Sequence, residues 1–339
     1  MNSVTWIGAV LAVAGGALQG AFGVPMKYAR KWNHENIWLI FTLTGLVFFP
    51  WILTAVTVPS LAEVYRQAPT SSLALIAVCG IGWGVGVVMV GIAFRMLGIG
   101  LGFAIILGLS ALLGSLVPFL FLPQQHFSAM QKRLYLLGAG AMLIGIAMVS
   151  FAGSIREQVE SKTDRISHDK RQQFAIGLVI AIIAGILSSL LSDAISFTSG
   201  MVRTALQAGA STVWASNVVT APATTCGALA SLVYCILTLR RNQSAGLFWQ
   251  PSMGRNWILG IAMGACWYGG LALYGLGEQK IGSVDGWPLF IGAMILSSSA
   301  AGFLTGEWKS VGARGKWILC GGSLLIFLAL IVVGMAHSG

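Results

Sequence analysis

Residues 73–94 read LALIAVCGIGWGVGVVMVGIAF, an uncharged stretch long enough to cross the hydrocarbon core of a bilayer as one helix. Nine further apolar stretches of similar length occupy most of the chain, and short connectors hold nearly all of the charge. Charged residues make up only 9% of the sequence, whereas a soluble domain carries about 25%. We therefore predict an all-α integral membrane protein with ten transmembrane spans, at residues 4–26, 37–58, 73–94, 98–122, 134–152, 174–197, 212–239, 257–276, 287–305 and 316–335.

The connectors indicate an orientation. Fifteen of the 20 Lys and Arg residues lie in the odd-numbered connectors. Because Lys and Arg are retained on the cytoplasmic side, these connectors should be cytoplasmic and both termini periplasmic, in a bacterial inner membrane. The net charge of +10 is thereby explained as topology information, since the basic residues form no stripe typical of nucleic-acid binding. The five cysteines lie inside spans without CxxC spacing, which favours packing roles over a disulfide framework, and we expect no metal or other cofactor.

The chain divides into two segments of five spans each, residues 1–152 and 174–339, joined by a cytoplasmic connector at 153–173. Because five is odd, the second segment must enter the membrane upside down relative to the first. Inverted repeats of this kind place a binding site near the bilayer midplane. Sliding the chain by 184 residues gives matches that favour a duplication: Gly80 with Gly264, Trp83 with Trp267, Gly86 with Gly270, Gly91 with Gly275, Gly98 with Gly282, Gly102 with Gly286 and Gly108 with Gly292.

Local motifs spread along the whole chain resemble one transporter family. They are Pro25, Lys27, Lys31 and Trp32, then Glu35 and Trp38, Pro50 and Trp51, Gly80, Trp83, Gly84 and Gly86, Arg95, Leu97 and Gly98, Trp267 and Tyr268, and Glu307, Trp308, Gly312 and Arg314. In this order they resemble the L-rhamnose/proton symporter family of the drug/metabolite transporter superfamily. The resemblance implies a five-plus-five inverted fold of ten helices and uptake of a deoxyhexose coupled to protons. Gln19 and Asp193 depart from the family pattern, so the resemblance leaves the sugar open.

A sugar-binding site needs amide or indole groups and a flat aromatic surface inside a mostly apolar pocket. Few residues of the spans supply them, and we take these as substrate-binding candidates: Gln19, Trp83, Trp214, Asn217, Trp267 and Tyr268. Each has a structural alternative. Gln19 and Asn217 can serve as hydrogen-bonding glue between helices, the latter near the helix-bending Pro222, and the aromatic residues can be packing.

Proton coupling needs a group that changes charge within the transport path. Asp193 is the only acid well inside a span, and an ionisable residue at that depth is a functional hypothesis by default. The alternative is that the sixth span ends early and Asp193 caps its outer end. Glu278 and Asp285, beside the outer connector between spans eight and nine, are further coupling candidates or solvated loop residues. We expect Glu35 to form a surface ion pair with the nearby Arg30 or Lys31.

Three classes of function compete. The first is a proton-coupled symporter whose partners are a monosaccharide, protons and membrane lipid, with no nucleic acid and an undetermined oligomeric state. The second is an exporter of amino acids, drugs or other metabolites in the same superfamily. The third, a membrane enzyme, is disfavoured because the sequence contains no HExxH or GxSxG motif and its four histidines lie outside or at the margins of the spans.

Overall fold

The computed structural model describes the backbone of residues 3–121, 129–163, 167–251 and 253–338, and the regular elements of these residues are helical. Short helical turns at Val24–Tyr28, Thr44–Phe48 and Ala245–Trp249 supplement the longer helices. The α-helices are α1 Ser3–Gly20, α2 His34–Leu43, α3 Phe49–Thr57, α4 Leu61–Arg66, α5 Thr70–Leu97, α6 Ile99–Phe121, α7 Ala129–Thr163, α8 Ser167–Ser188, α9 Leu190–Phe197, α10 Ser199–Gln207, α11 Asn217–Arg241, α12 Gly254–Leu304 and α13 Ala313–Ser338.

Eight segments of the described residues are long and apolar enough to cross a membrane, which confirms a helical multi-pass membrane protein. They coincide with eight of the ten predicted spans. In the other two, 98–122 and 287–305, the described side chains form shorter apolar helical stretches, Ile99–Leu113 and Leu289–Leu304. The seventh span differs in its start, because residues 212–216 form turns and α11 begins only at Asn217.

The long helix α12 doubles back on itself. Tyr274 and Phe290 are sixteen residues apart in sequence, yet their ring centroids lie 4.7 Å apart. In a straight helix sixteen residues span about 24 Å, so the chain must reverse between these rings. We call Gly254–Gly277 the first arm of α12 and Leu289–Leu304 its second arm.

Helix α1 packs between these two arms. It runs antiparallel to the first arm and parallel to the second, so the arms are antiparallel to each other. The close approaches that establish these directions are Gly8 with Gly277 and Gly15 with Gly270 in the first arm, and Gly16 with Phe290 and Gly20 with Met294 in the second.

Glycines mark the places where helices of residues 1–152 cross helices of residues 174–339. Gly84 of α5 lies against Gly227 of α11, and Gly264 of the first arm lies against Gly45 between α2 and α3. Without a hydrophobic driving force between helices in lipid, such small residues let backbones approach closely enough for van der Waals packing. The two crossings hold the two chain segments together.

Replacing Gly84 by alanine is expected to destabilise the protein by about 1–3 kcal/mol, because the added Cβ would lie 2.6 Å from the carbonyl carbon of Gly227 and force α5 and α11 apart. Gly140→Ala in α7 is the matched control, since nothing described lies within 4 Å of a Cβ added there. Thermal unfolding in detergent measures both variants. Equal melting temperatures for the two would contradict the close crossing.

Four spans are irregular near the middle of the bundle. Helix α1 ends at Gly20, α8 gives way to α9 around Ser189, the second span contains the widened turn Thr44–Phe48, and α11 contains Pro222. Such interruptions leave backbone groups without regular helical partners, and they are tolerated at membrane depth where protein or a cavity surrounds them. The interruptions therefore indicate that these four spans enclose either packed protein or a cavity.

Candidate functional site

A cavity of about 520 Å³ lies where α1 ends, α8 passes to α9 and α11 begins. This volume is in the usual range for small-molecule sites, roughly 300–1,000 Å³. Residues from both chain segments line it. All six predicted substrate-binding side chains are among them: Gln19, Trp83, Trp214, Asn217, Trp267 and Tyr268.

Gln19 is the penultimate residue of α1 and is 7% exposed. Its side-chain oxygen Oε1 is buried and has no hydrogen-bond partner among the described residues. Leaving a buried amide oxygen without a donor costs about 1–3 kcal/mol. Gln19 Oε1 therefore makes no helix-to-helix hydrogen bond among the described residues, and it is an unused acceptor on a cavity-lining side chain.

Asn217 begins α11 and is 6% exposed. Its Oδ1 accepts a hydrogen bond from the Tyr268 hydroxyl at 3.3 Å, which fixes the amide plane. The Nδ2 group is buried and has no acceptor among the described residues. Asn217 thus offers a donor to the cavity where Gln19 offers an acceptor, and a molecule carrying hydroxyl groups can pair with both.

The start of α11 is held in place from outside the cavity. Pro222 has no N–H, so the carbonyl of Val218 lacks its helical donor. The Tyr65 hydroxyl of α4 donates to this carbonyl at 3.0 Å. Burial raises the pKa of Tyr65, so the phenol stays protonated and keeps its donor. Tyr65 therefore stabilises the helical turn that carries Asn217.

Replacing Tyr65 by phenylalanine is expected to lower the free energy of unfolding by about 1–3 kcal/mol, because the buried Val218 carbonyl would lose its partner. Thermal unfolding in detergent measures the change. Tyr28→Phe is a suitable control, since Tyr28 is 50% exposed. If the two variants melt at the same temperature, the hydroxyl of Tyr65 does not support α11.

Two tryptophans that match under the 184-residue shift touch each other in the cavity. The rings of Trp83 and Trp267 have centroids 5.7 Å apart and planes inclined by 44°. Trp83 lies near the midpoint of α5, and Trp267 lies near the midpoint of the first arm of α12. Tyr268 continues the aromatic surface, 6.1 Å from Trp267. The pair gives the cavity an aromatic wall near the midpoints of the two helices.

The cavity lining that the structure describes is uncharged. Its polar groups are amides, indoles and hydroxyls, including Ser188, Ser192 and Ser196 in a row along α8 and α9, and the rest is apolar. Within the described part of the chain no group of His, Cys, Asp and Glu is arranged to hold a metal ion. Chemically, this lining suits a neutral molecule with hydroxyl groups and an apolar face.

Asp193 is buried but does not line the cavity. It lies in the first turn of α9 and is 5% exposed. Its Oδ2 is 3.4 Å from the Ser189 hydroxyl, and its Oδ1 has no hydrogen-bond partner among the described residues. The adjacent Ala194 belongs to the same buried cluster as Cys79 of α5, and neither of these two residues lines the cavity. Since α9 continues to Phe197, Asp193 is not a solvated cap at the end of the span.

The other two coupling candidates are not located. The backbone of α12 includes Glu278 and Asp285, but their side chains lie outside the described residues. The structure therefore adds no contact to either prediction.

The expected surface role of Glu35 is wrong. Its side chain is 3% exposed, and its Oε1 accepts hydrogen bonds from Asn33, Asn242 and Ser244, the last at 2.6 Å. A carboxylate that accepts several hydrogen bonds can be buried without a cation. These partners could not be predicted from local sequence, because two of them lie more than 200 positions away, in the turn that follows α11.

Comparisons with known proteins agree with the geometry. The family model described as L-rhamnose-proton symport protein (RhaT) matches residues 1–339. The L-rhamnose-proton symporters of Yersinia pestis and Yersinia pseudotuberculosis are each 27% identical to this chain over 350 residues, which cover 99% of this chain and 99% of the relative. The protein of the same name from Cronobacter sakazakii is 26% identical over 348 residues, again 99% of both chains.

Proposed function

This chain belongs to the L-rhamnose-proton symport protein family, and from that premise we propose that it takes up L-rhamnose or a related deoxyhexose together with protons by alternating access. A 6-deoxyhexose carries several hydroxyl groups, no charge and one apolar methyl group. Its binding site should therefore combine hydrogen-bonding groups with an apolar wall. The relatives named as L-rhamnose-proton symporters align over nearly the whole chain, which supports the same class of cargo.

The observation that carries the proposal is the uncharged cavity with its two unpaired amide groups. Gln19, near the end of α1, supplies an acceptor, and Asn217, the first residue of α11, supplies a donor. Trp83 and Trp267 supply a stacking surface for the C–H face of a sugar ring. In this arrangement the sugar is bound between the two chain segments, in contact with both.

Export of amino acids or cationic drugs is the alternative within the same superfamily. An amino acid carries two opposite charges, and a cationic drug carries at least one. Burying such groups without a charged partner costs far more than burying a hydroxyl. The described lining contains no charged side chain, which favours a neutral sugar over these substrates. A transporter has no need of bond-making residues, and we propose no enzymatic activity.

We further infer a five-plus-five inverted repeat of ten helices, with residues 1–152 and 174–339 as the repeats, 153–173 as the cytoplasmic connector, and a place in the drug/metabolite transporter superfamily. The matched residues Gly80 and Gly264 support it, since each lies where a helix of one segment crosses a helix of the other. The doubling back of α12 supports separate eighth and ninth spans. The irregular spans are the first, second, sixth and seventh, which correspond pairwise under such a repeat.

The distribution of Lys and Arg supports a bacterial inner-membrane location with both termini periplasmic. In that orientation the end of the bundle at Lys27 and Glu307 is cytoplasmic. The row Ser192 and Ser196, together with Trp214, lines the opposite, periplasmic part of the cavity.

For proton coupling we propose Asp193 first and Asp285 or Glu278 next. Asp193 lies one residue from the cavity-lining Ser192, at the helix interruption around Ser189. A change in its protonation changes the charge buried against α5 without changing any sugar contact. Coupling would then act through the position of α9, which carries part of the cavity wall.

Uptake by purified protein in liposomes tests the proposed function. We expect an inward pH gradient to drive accumulation of L-rhamnose or another deoxyhexose from a labelled panel, and to leave amino acids outside. The panel should include the hexose that differs only by a 6-hydroxyl group. If amino acids are moved and no sugar competes, the exporter alternative replaces the symporter.

A further inference from the structure

An ion cluster around the buried carboxylate of Glu307 joins the two chain segments at one end of the bundle. The Glu307 carboxylate, in the turn between α12 and α13, pairs with Lys27 and accepts the backbone N–H of Ile99 at 3.0 Å, both through Oε1. Its Oε2 lies 3.7 Å from Arg156 Nη1, and the side chains of Glu307 and Arg156 are each 9% exposed. One acid of the second segment thus contacts three separate elements: the turn after α1 and the start of α6 in the first segment, and the end of α7, which continues into the connector.

The turn between α5 and α6 is shaped to take part in this cluster. Gly98 has a φ of +84°, a conformation that side chains disfavour. The turn directs the Leu97 carbonyl to Arg156 Nη2 at 2.5 Å. The guanidinium of Arg156 also lies 5.5 Å from the ring centre of Trp308, next to Glu307. The cation is therefore held by groups from both segments.

An aromatic layer separates this cluster from the cavity. Phe22 lies at the centre, with ring centroids 5.1 Å from Phe41, 5.5 Å from Phe103 and 5.8 Å from Phe94. Phe22, Phe41 and Phe103 also line the cavity. Lys27 follows Phe22 in the same short connection after α1. The cavity is closed at this end by aromatic rings first and by the ion cluster behind them.

We infer that the Glu307 ion cluster is the cytoplasmic gate of the transport path, an inference that rests on the alternating-access function proposed above. Opening the cavity toward the cytoplasm requires the two segments to part at this end. The Glu307 contacts with Lys27, Ile99 and Arg156 are among the described contacts that must break, as is the hydrogen bond that Lys27 donates to the Thr305 hydroxyl at 2.7 Å. Glu307 is therefore a gating residue, which acts on the side from which sugar is accessible and not on the sugar itself.

The charge balance determines how the gate responds to substitution. With the gate closed, the Glu307 carboxylate pairs with two cations, the buried Arg156 and Lys27, whose side chain is 28% exposed. With the gate open, water solvates all three groups. Removing the acid takes this carboxylate away from Arg156, which costs most in the closed state, where the guanidinium is desolvated, and little in the open state, where water solvates it. A substitution that destabilises the closed state more than the open state shifts the population toward the open state.

Cysteine labelling measures this shift. The reporter is Val90→Cys, at a cavity-lining position, in a chain whose five natural cysteines are replaced. In inside-out vesicles, a membrane-impermeant maleimide should label the reporter about tenfold faster when Glu307→Gln is added. In right-side-out vesicles the same variant should label more slowly. A labelling rate unchanged on both sides would overturn the gate.

Glu63→Gln is the matched control. Glu63 also pairs with an arginine, Arg66, at 2.8 Å, but both lie on α4 within one segment and are exposed. This variant should label like the parent. Lys27→Met provides a second test if Glu307→Gln fails to fold, since it removes one contact and leaves Arg156 with its acid. We expect a smaller shift in the same direction, and no shift in a well-folded Lys27→Met protein would overturn the assignment.

The labelling requires no sugar, so its outcome is separable from the proposed function. Normal sugar uptake by the parent with no labelling shift would overturn the gate alone. A labelling shift in a protein that moves no sugar would keep the gate and reject the cargo. Faster labelling from the right-side-out vesicles would overturn the placement of the gate on the cytoplasmic side.

Discussion

Replacing Asp193 by asparagine is expected to abolish proton-driven sugar accumulation while sugar exchange across the membrane continues. Asparagine has the shape of the protonated acid and cannot release a proton, so the variant resembles one protonation state throughout the cycle. Because Asp193 is buried outside the cavity lining, the sugar contacts stay in place. The loss should therefore fall on coupling and leave binding intact.

The size of the effect follows from the driving force. A pH step of one unit corresponds to about 1.4 kcal/mol per proton, which supports about tenfold accumulation at one proton per sugar. In Asp193→Asn the accumulation ratio should fall to about 1 whatever the pH step. Labelled sugar on one side should still exchange with unlabelled sugar on the other at a rate similar to the parent. Both are measured in the same liposomes.

The control for this prediction is Glu63→Gln, an exposed acid on α4. It should accumulate sugar like the parent. Full accumulation by Asp193→Asn would remove Asp193 from coupling, and Glu278→Gln and Asp285→Asn would then be compared in the same assay. Loss of exchange as well as accumulation would point to a packing role at the α9 interruption.

The transmembrane character and the cavity residues were predictable from sequence for the same reason. Side-chain amides are scarce in the spans, and each must avoid lipid, so Gln19 and Asn217 had to face protein. The matching positions of Trp83 and Trp267 indicated that they face each other, and their rings do touch. The scarcity of amides and the matching of positions under a 184-residue shift can both be seen in the sequence itself, which is why these residues could be found.

Contacts made across the bundle were not predictable. The partners of Glu307 lie 280 positions away at Lys27 and 208 away at Ile99, and no local pattern connects them. The buried state of Glu35 depends likewise on a distant turn. The composition of the sixth span also does not reveal toward which neighbouring helices the Asp193 side chain is directed. Such features depend on how helices rotate against one another.

Helix interruptions form an intermediate case. The presence of Pro222 predicts an irregular helix in the seventh span, because proline removes one helical hydrogen bond. The structure adds that Tyr65 of α4 supplies the missing donor to Val218. The interruption around Ser189 has no comparable signal, since serine is tolerated within helices. A residue that forbids a hydrogen bond can be recognised from sequence, whereas one that merely allows a break cannot.

Replacing Gln19 by leucine is expected to weaken sugar binding about 5- to 150-fold, because a sugar hydroxyl that loses its buried acceptor costs about 1–3 kcal/mol. Leucine has a similar volume and keeps the packing against α12. In transport, the effect should appear as a higher KM with little change in the maximum rate, if binding is affected equally throughout the cycle. Gln67→Leu, which changes an exposed glutamine after α4, is the control and should bind sugar like the parent.

Deoxy analogues of the sugar make this test specific for a hydrogen bond. In the parent, removing the hydroxyl that pairs with Gln19 should weaken binding about as much as Gln19→Leu does, since either change breaks the same contact. In Gln19→Leu, removing that hydroxyl should cost little more, whereas removing any other hydroxyl should cost the same as in the parent. This coupling between one side chain and one hydroxyl isolates the pairwise interaction. If every analogue loses the same factor in both proteins, Gln19 does not contact the sugar and its unpaired oxygen serves the packing of α1.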